Sequence, residues 1–318
     1  MYPLKLIAPI KDYLWGGTRL KTDFGFKTDK EIAAEAWLLS CHKDGPSVVE
    51  NGEMAGKTLP EVLDIWGKEA LGSRAADFTY FPLLIKFIDA KQSLSVQVHP
   101  DDEYAMRVEG EYGKTEMWYV VDCDEGAELI YGFRDKISSE EFARRIKDNT
   151  LMEVCNSVPV HKGDVFFITA GTLHAIGEGI LIAEVQQNSN STYRVYDFGR
   201  VGADGKPREL HIDKAVDVTI CDKPQHPYGQ VGEIKVIDGN KVRTLASCDL
   251  FTATYVEVEK ELTVGKEDTF VAVIVLDGEV ELKGDGVTLT LKKGDSVFVP
   301  AKQTVLLLGK AELLIGNV

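Results

Sequence analysis

Two imidazoles, one carboxylate and one amide near the ends of short apolar segments could together hold a divalent cation. Two of the four come from Leu94-Ser95-Val96-Gln97-Val98-His99-Pro100. Extended-chain alternation places Ser95, Gln97 and His99 on one face and Leu94, Val96 and Val98 on the other. Pro100 stops the ladder, so the polar pair is expected at a strand end open to solvent. Gly113-Lys114-Thr115-Glu116-Met117-Trp118 repeats the device, with Lys114 and Glu116 on one face, about 7 Å apart along an extended chain. His174 follows the Gly171 turn after an apolar run. Taken singly, each is what a solvated strand edge or a hydrogen-bonded structural histidine looks like. Taken together, they are a four-ligand set for a divalent metal. Gln97 is a neutral oxygen donor, so the protein sets one anion against two positive charges. A metal left that electropositive is the better Lewis acid for a hydroxyl or carbonyl oxygen.

The elements that must position these groups read mainly as β. Short β-branched and aromatic runs separated by Gly, Asp or Asn recur at 83–88, 94–99, 116–122, 127–131, 164–169, 180–186 and 192–198. They return at 269–276, 279–282, 287–291, 296–300, 304–308 and 312–315. That rhythm favours antiparallel sandwiches or barrels over alternating βαβ units. Two helices are expected, one from Thr58 (a cap) with Pro60 in its first turn to about Leu71, and one over 138–147 opened by Ser138.

An internal repeat sharpens the fold. Lys162-Gly163-Asp164-Val165-Phe166-Phe167-Ile168-Thr169-Ala170 aligns on Lys293-Gly294-Asp295-Ser296-Val297-Phe298-Val299-Pro300-Ala301. The spacing of Gly163, Thr169 (in place of Pro) and His174 resembles the second signature of the cupin superfamily. In the later copy Pro300 is present, but Val305 stands where His174 does. The expectation is two cupin-like (jelly-roll) β-barrels with a few short helices. Residues 1–230 would form the metal-binding catalytic domain, and residues 231–318 a degenerate barrel without metal, joined through a Pro- and Gly-containing stretch around 220–235.

Composition excludes several classes. The chain has 318 residues and a formal net charge of −15, which argues against non-specific binding to nucleic acid or to an anionic membrane. An anionic ligand would need a few local cations to overcome that field. No run is long and apolar enough for a membrane span, and the start lacks a secretory leader, so a cytoplasmic location is expected. Five scattered cysteines without a C-x-x-C pair read as free thiols. The sequence leaves the oligomeric state open, and a monomer is compatible with it.

Longer segments carry a resemblance. Phe81-Pro82-Leu83-Leu84-Ile85-Lys86-Phe87-Ile88-Asp89-Ala90, the segments around Gln97, Glu116 and His174, and Tyr193-Arg194-Val195-Tyr196-Asp197 closely resemble the type I mannose-6-phosphate isomerases. The match runs from Pro9 to Arg200 in the family's order, though Thr115 replaces the proline of the family's Lys-Pro-Glu. The chain is too short for the large helical insertion of longer members and resembles the compact bacterial form. The resemblance implies one Zn2+ per chain on Gln97, His99, Glu116 and His174. It further implies Arg194 near the reacting carbons, and Lys114 and Glu184 in the site. For the substrate phosphate, Lys86, Lys114, Arg194 and Arg200 are the candidates. The implied activity interconverts mannose 6-phosphate and fructose 6-phosphate through an enediol. Glu184, Lys114 and a metal-bound water are the candidate bases; Glu184 ranks ahead as proton acceptor, with Lys114 hydrogen-bonding and protonating oxygen.

Two rivals remain at this stage. Two His and a carboxylate also describe non-haem metal cupin oxygenases, although Gln97, Lys114 and Arg194 suit an anionic substrate better than dioxygen. A non-catalytic sugar-phosphate-binding cupin would be expected to have lost Lys114, Glu184 or Arg194, and all three are present.

Overall fold

The computed structural model describes residues 1–201 and 205–318. The chain is mainly β, and its strands pair antiparallel in three sheets of ten, six and five strands. Their ladders run as open paths, so the pairing supports a mainly β chain and does not by itself establish the two cupin-like (jelly-roll) barrels expected from the repeat. The six-stranded sheet holds Val165–Ile168, Glu116–Cys123, Ile180–Gln187, Leu83–Ala90, Glu35–Leu39 and Ile10–Lys11 in that order. The five-stranded sheet holds Tyr193–Tyr196, Val96–Val98, His174–Ala175, Glu128–Phe133 and Cys155–Pro159. The ten-stranded sheet carries the C-terminal strands and recruits Leu4–Ile7, which pairs with Ser296–Val299.

Three layers of core follow from strand alternation. Leu83, Ile85 and Phe87 pack with Met117, Leu181 and Ala183 against Phe270, Ala272, Ile274 and Phe298 of the ten-stranded sheet. The opposite face of the six-stranded sheet turns Ile88, Trp118, Val120 and Ile182 toward Leu129, Tyr131 and Val158 of the five-stranded sheet. Outside that sheet, Val96, Val98 and Val195 meet Phe142, Ile146 and Ala215 of two helices. The central sheet is therefore buried on both faces, and each polar residue within it needs a partner.

Both expected helices form. Leu59–Trp66 is opened by a reciprocal box in which Thr58 and Glu61 cap each other, and Ser139–Lys147 is capped by Ser138. The first ends earlier than expected, at Gly67. Asp102–Val108 and Ile212–Val218 are helices that the apolar spacing did not announce. All five cysteines are free. The two copies of the repeat make the same turn: His161 N–H donates to Asp164 and Lys292 N–H to Asp295, at 2.8 and 2.9 Å. Beyond the turn they diverge, for Val305 is sealed in an aliphatic core.

Candidate active site and metal centre

The site lies where the six- and five-stranded sheets face each other. Register explains the assembly: Glu184 stands opposite Lys86 on one neighbour and Trp118 on the other, and Gln186 opposite Glu116. On the facing sheet Gln97 stands opposite His174 on one side and Arg194 on the other. Val96 and Val98 face the helices, so Gln97 and His99 point into the site as alternation predicts. Leu94 departs from that pattern, because the strand begins only at Val96 and Leu94 turns to the inner core. The turn before His174 demands glycine, since Gly171 has φ +84° and an added Cβ would meet Val218 O at 2.9 Å. Its N–H donates to His99 O at 2.8 Å, tying the two histidine segments together.

His99, Glu116 and His174 form the one group among the described residues able to hold a metal, with all three buried. The two Nε2 atoms are 3.1 Å apart. His174 Nε2 is 3.3 Å from Glu116 Oε1, and His99 Nε2 is 3.6 Å from Oε2. The Gln97 amide lies 3.4 Å from His174 Nε2. Each imidazole spends its other nitrogen on a backbone carbonyl, His99 Nδ1 on Ser191 O at 2.9 Å and His174 Nδ1 on Thr172 O at 2.8 Å. Both Nε2 atoms are thereby left as bare acceptors pointing at each other, the arrangement that a bound cation resolves. Glu116 Oε1 is buried without a hydrogen bond, and Oε2 meets only the Lys114 ammonium at 2.8 Å. These donors fit a divalent metal.

Electrostatics agree. Burial pushes His99 well below the ordinary imidazole value, with Lys114 and His174 adding to it. Burial likewise takes His174 down to about 4. Burial, reinforced by the Glu184 charge, raises Glu116 more than Lys114 lowers it. Neutral imidazoles are ready ligands, and a strained carboxylate gains most from a nearby cation.

In front of this group opens a cavity of about 290 Å³, walled by Gln97, Lys114, Trp118, Glu184 and Arg194 among others. A larger hollow of about 580 Å³ lies elsewhere, against Leu63, Leu71 and Phe81, and holds none of the metal ligands. Lys114 Nζ is 2.8 Å from Glu116 Oε2 and 3.2 Å from His99 Nε2. Glu184 accepts from Trp118 Nε1 at 2.7 Å and pairs with Lys86 Nζ at 3.0 Å. Its burial acts to raise the carboxyl, but Lys114 and Lys86 outweigh that and hold it below the usual range. Lys86 is the converse: burial acts downward, and Glu184 and Glu35 carry it above its ordinary value.

Two residues that sequence reasoning missed complete the cavity. Glu35 accepts from Trp37 Nε1 at 2.7 Å and lies 3.8 Å from Lys86 Nζ. Arg208 lines the cavity beside Arg194, with its Nε donating to Asp197 at 2.6 Å. Arg200 does not line it; it donates to Asp197 at 2.7 Å and faces an adjoining hollow that shares Tyr13, Trp15 and Arg208. Three guanidiniums thus gather around one carboxylate, leaving net positive charge beside the cavity of an acidic protein. Arg194 is fixed by Ser95 Oγ at 3.2 Å and Glu209 O at 3.0 Å.

Comparison with known proteins gives a consistent result. Residues 3–153 match the family model described as phosphomannose isomerase type I, catalytic domain, and residues 241–315 match the mannose-6-phosphate isomerase cupin domain. The chain is 39% identical to a mannose-6-phosphate isomerase of Streptococcus mutans, over 94% of this chain and 92% of that one. It is 38% identical to one of Bacillus subtilis, over 94% and 93%. The crystal structure of the mannose 6-phosphate isomerase from Bacillus subtilis superposes with a TM-score of 0.91 at 36% identity, covering 100% of both chains.

Proposed function

The chain belongs to the type I phosphomannose isomerases, which interconvert mannose 6-phosphate and fructose 6-phosphate, and we propose that it does so with one zinc ion held by Gln97, His99, Glu116 and His174. The observation that carries the metal is the pair of imidazole Nε2 atoms facing each other beside a buried carboxylate whose Oε1 has no hydrogen-bond donor. Catalysis is assigned to residues 1–230, and no metal to 231–318, where Val305 fills the equivalent place. The oxygenase reading has no support from family membership, and a cavity edged by guanidiniums does not suit dioxygen.

Aldose–ketose interconversion moves a proton between C1 and C2, and negative charge develops on the adjoining oxygen. Zinc, when bound, supplies Lewis acidity toward the sugar's hydroxyl and carbonyl oxygens. Lys114 donates to the oxygen that gains charge as the enediol forms. Glu184, held ionised, accepts the proton from carbon and returns it to the neighbouring carbon. Lys86, already paired with Glu184 and Glu35, holds that carboxylate in place rather than reaching for phosphate. Arg194 and Arg208 take the phosphate end. We place the enzyme in the cytoplasm, where phosphorylated sugars are retained; among the described residues no helix is long and apolar enough to cross a membrane.

Purified protein incubated with mannose 6-phosphate should form fructose 6-phosphate, and absence of that product would overturn the assignment. The phosphate seat has its own test. Arg208→Met is expected to raise KM for mannose 6-phosphate about tenfold with kcat little changed, since a hydrogen bond to a charged group contributes about 1.5–3 kcal/mol. Arg200→Met should do less, because that side chain faces the adjoining hollow. A larger KM effect at Arg200 would reverse the assignment.

A further inference from the structure

Lys114 sits outside any strand or helix, in the stretch that precedes Glu116–Cys123. A long, flexible cation there needs its backbone fixed by something other than a ladder. Every backbone N–H from Gly113 to Thr115 has a committed acceptor. Gly113 donates to Asp102 Oδ1 at 2.8 Å, Lys114 to Pro100 O at 3.0 Å, and Thr115 to Gln187 Oε1 at 2.9 Å. Gln187 then uses its other end, donating Nε2 to the same Asp102 Oδ1 at 2.9 Å, and its own N–H donates to Thr115 O at 3.1 Å. It is buried at 4% exposure, closes the strand that carries Glu184, and lines neither the cavity nor the metal group.

We propose that Gln187, acting with Asp102, is a positioning residue that sets Lys114 against the substrate oxygen. The inference rests on the reading of Lys114 given above. The chemistry of the bridge calls for an amide, because the site needs an acceptor toward Thr115 N–H and a donor toward the Asp102 carboxylate at once. A carboxylate at position 187 keeps the first bond and turns the second into a repulsion between two anions. A plain buried staple would contribute to stability alone. A positioning bridge also fixes where the Lys114 ammonium arrives.

The experiment compares Gln187→Glu, Asp102→Asn/Gln187→Glu, Gln187→Met and Lys114→Met in the zinc-loaded enzyme, with kcat and KM for mannose 6-phosphate and the melting temperature of each. Gln187→Glu is expected to lower kcat about 10²-fold with KM nearly unchanged, the scale of a misplacement of about 1 Å. Adding Asp102→Asn should restore part of that kcat, because it removes the repulsion between two anions, while the single amide atom in the place of Oδ1 can serve either the new carboxylate or Gly113 N–H. In a Lys114→Met background, Gln187→Glu should cost nothing further. If Gln187→Glu fails to fold, Gln187→Met removes both bonds without adding charge and should show the same loss in kcat. Wild-type kcat in a folded Gln187 variant, no recovery in the double variant, or an undiminished loss in the Lys114→Met background would each overturn the proposal. The two readings fail distinguishably. Full turnover by Lys114→Met would sink the role of Lys114, whereas loss there with none at Gln187 sinks only the positioning.

Discussion

Replacing His174 by alanine is expected to lower turnover of mannose 6-phosphate by about 10³-fold, because Lewis-acid stabilisation is worth several kcal/mol. His174 has no freedom to be spared. Its Nδ1 is committed to Thr172 O, its Nε2 is 3.1 Å from His99 Nε2 and 3.3 Å from Glu116, and the ring is fully buried. Alanine removes one ligand and leaves the others too few to close a tetrahedral site. Two readouts separate this from general damage. Metal content of the purified variant should fall well below one zinc per chain. The native protein should also gain melting temperature with zinc, since a ligand at 100 times its Kd stabilises the folded state by about 2.7 kcal/mol, and the variant should gain none. Retained turnover with full zinc occupancy would exclude His174 as a ligand.

The second large effect concerns the proton. Glu184→Gln is expected to reduce kcat by about 10²–10⁴-fold, the range for loss of a general base. Lys114→Met should also reduce kcat, through loss of a donor to the developing oxyanion, by about 10²–10³-fold. Should Glu184→Gln keep full turnover while Lys114→Met loses it, the roles must be exchanged. Lys86→Met adds a test with a definite sign. A general base at Glu184 requires the ionised carboxylate, and Lys86 at 3.0 Å helps to hold that carboxyl below the usual range. Without Lys86 the carboxyl binds its proton at higher pH, so the acid limb of the kcat/KM profile should move up by about one unit or more. An acid limb that stays where it is in the native enzyme would contradict the pairing.

How much of this was legible depended on whether a relation was local. Gln97 with His99, and Lys114 with Glu116, are spaced so that strand alternation alone puts each pair on one side, and the structure keeps both pairs facing the site. His174 could be singled out because the repeat supplied a comparison in Val305. Glu35 and Arg208 gave no such signal. Glu35 lies in Glu35–Leu39, a strand buried at every position, where alternation distinguishes nothing. Arg208 reaches the cavity from outside any strand, and only the fold brings it beside Arg194. Arg200, matched by order along the chain, landed one hollow away for the same reason.

The fold shows the same division. Composition and rhythm announced antiparallel β structure, and Thr58 and Ser138 marked two helix starts. The runs 269–276 and 279–282, and likewise 304–308 and 312–315, expected as separate strands, instead merge into Val271–Gly284 and Thr304–Asn317, with Gly278 and Gly309 inside them where the partner backbone approaches closely. The pairing of Leu4–Ile7 with Ser296–Val299 joins the two ends of the chain, a contact with no local signature.

The most direct test follows fructose 6-phosphate formation from mannose 6-phosphate by the native enzyme before chelation, after exhaustive chelation, and after zinc is returned. Activity should disappear with the metal and come back with one zinc per chain. Turnover that is indifferent to metal removal, or that zinc does not restore to a chelated but folded protein, would contradict a zinc ion held by Gln97, His99, Glu116 and His174.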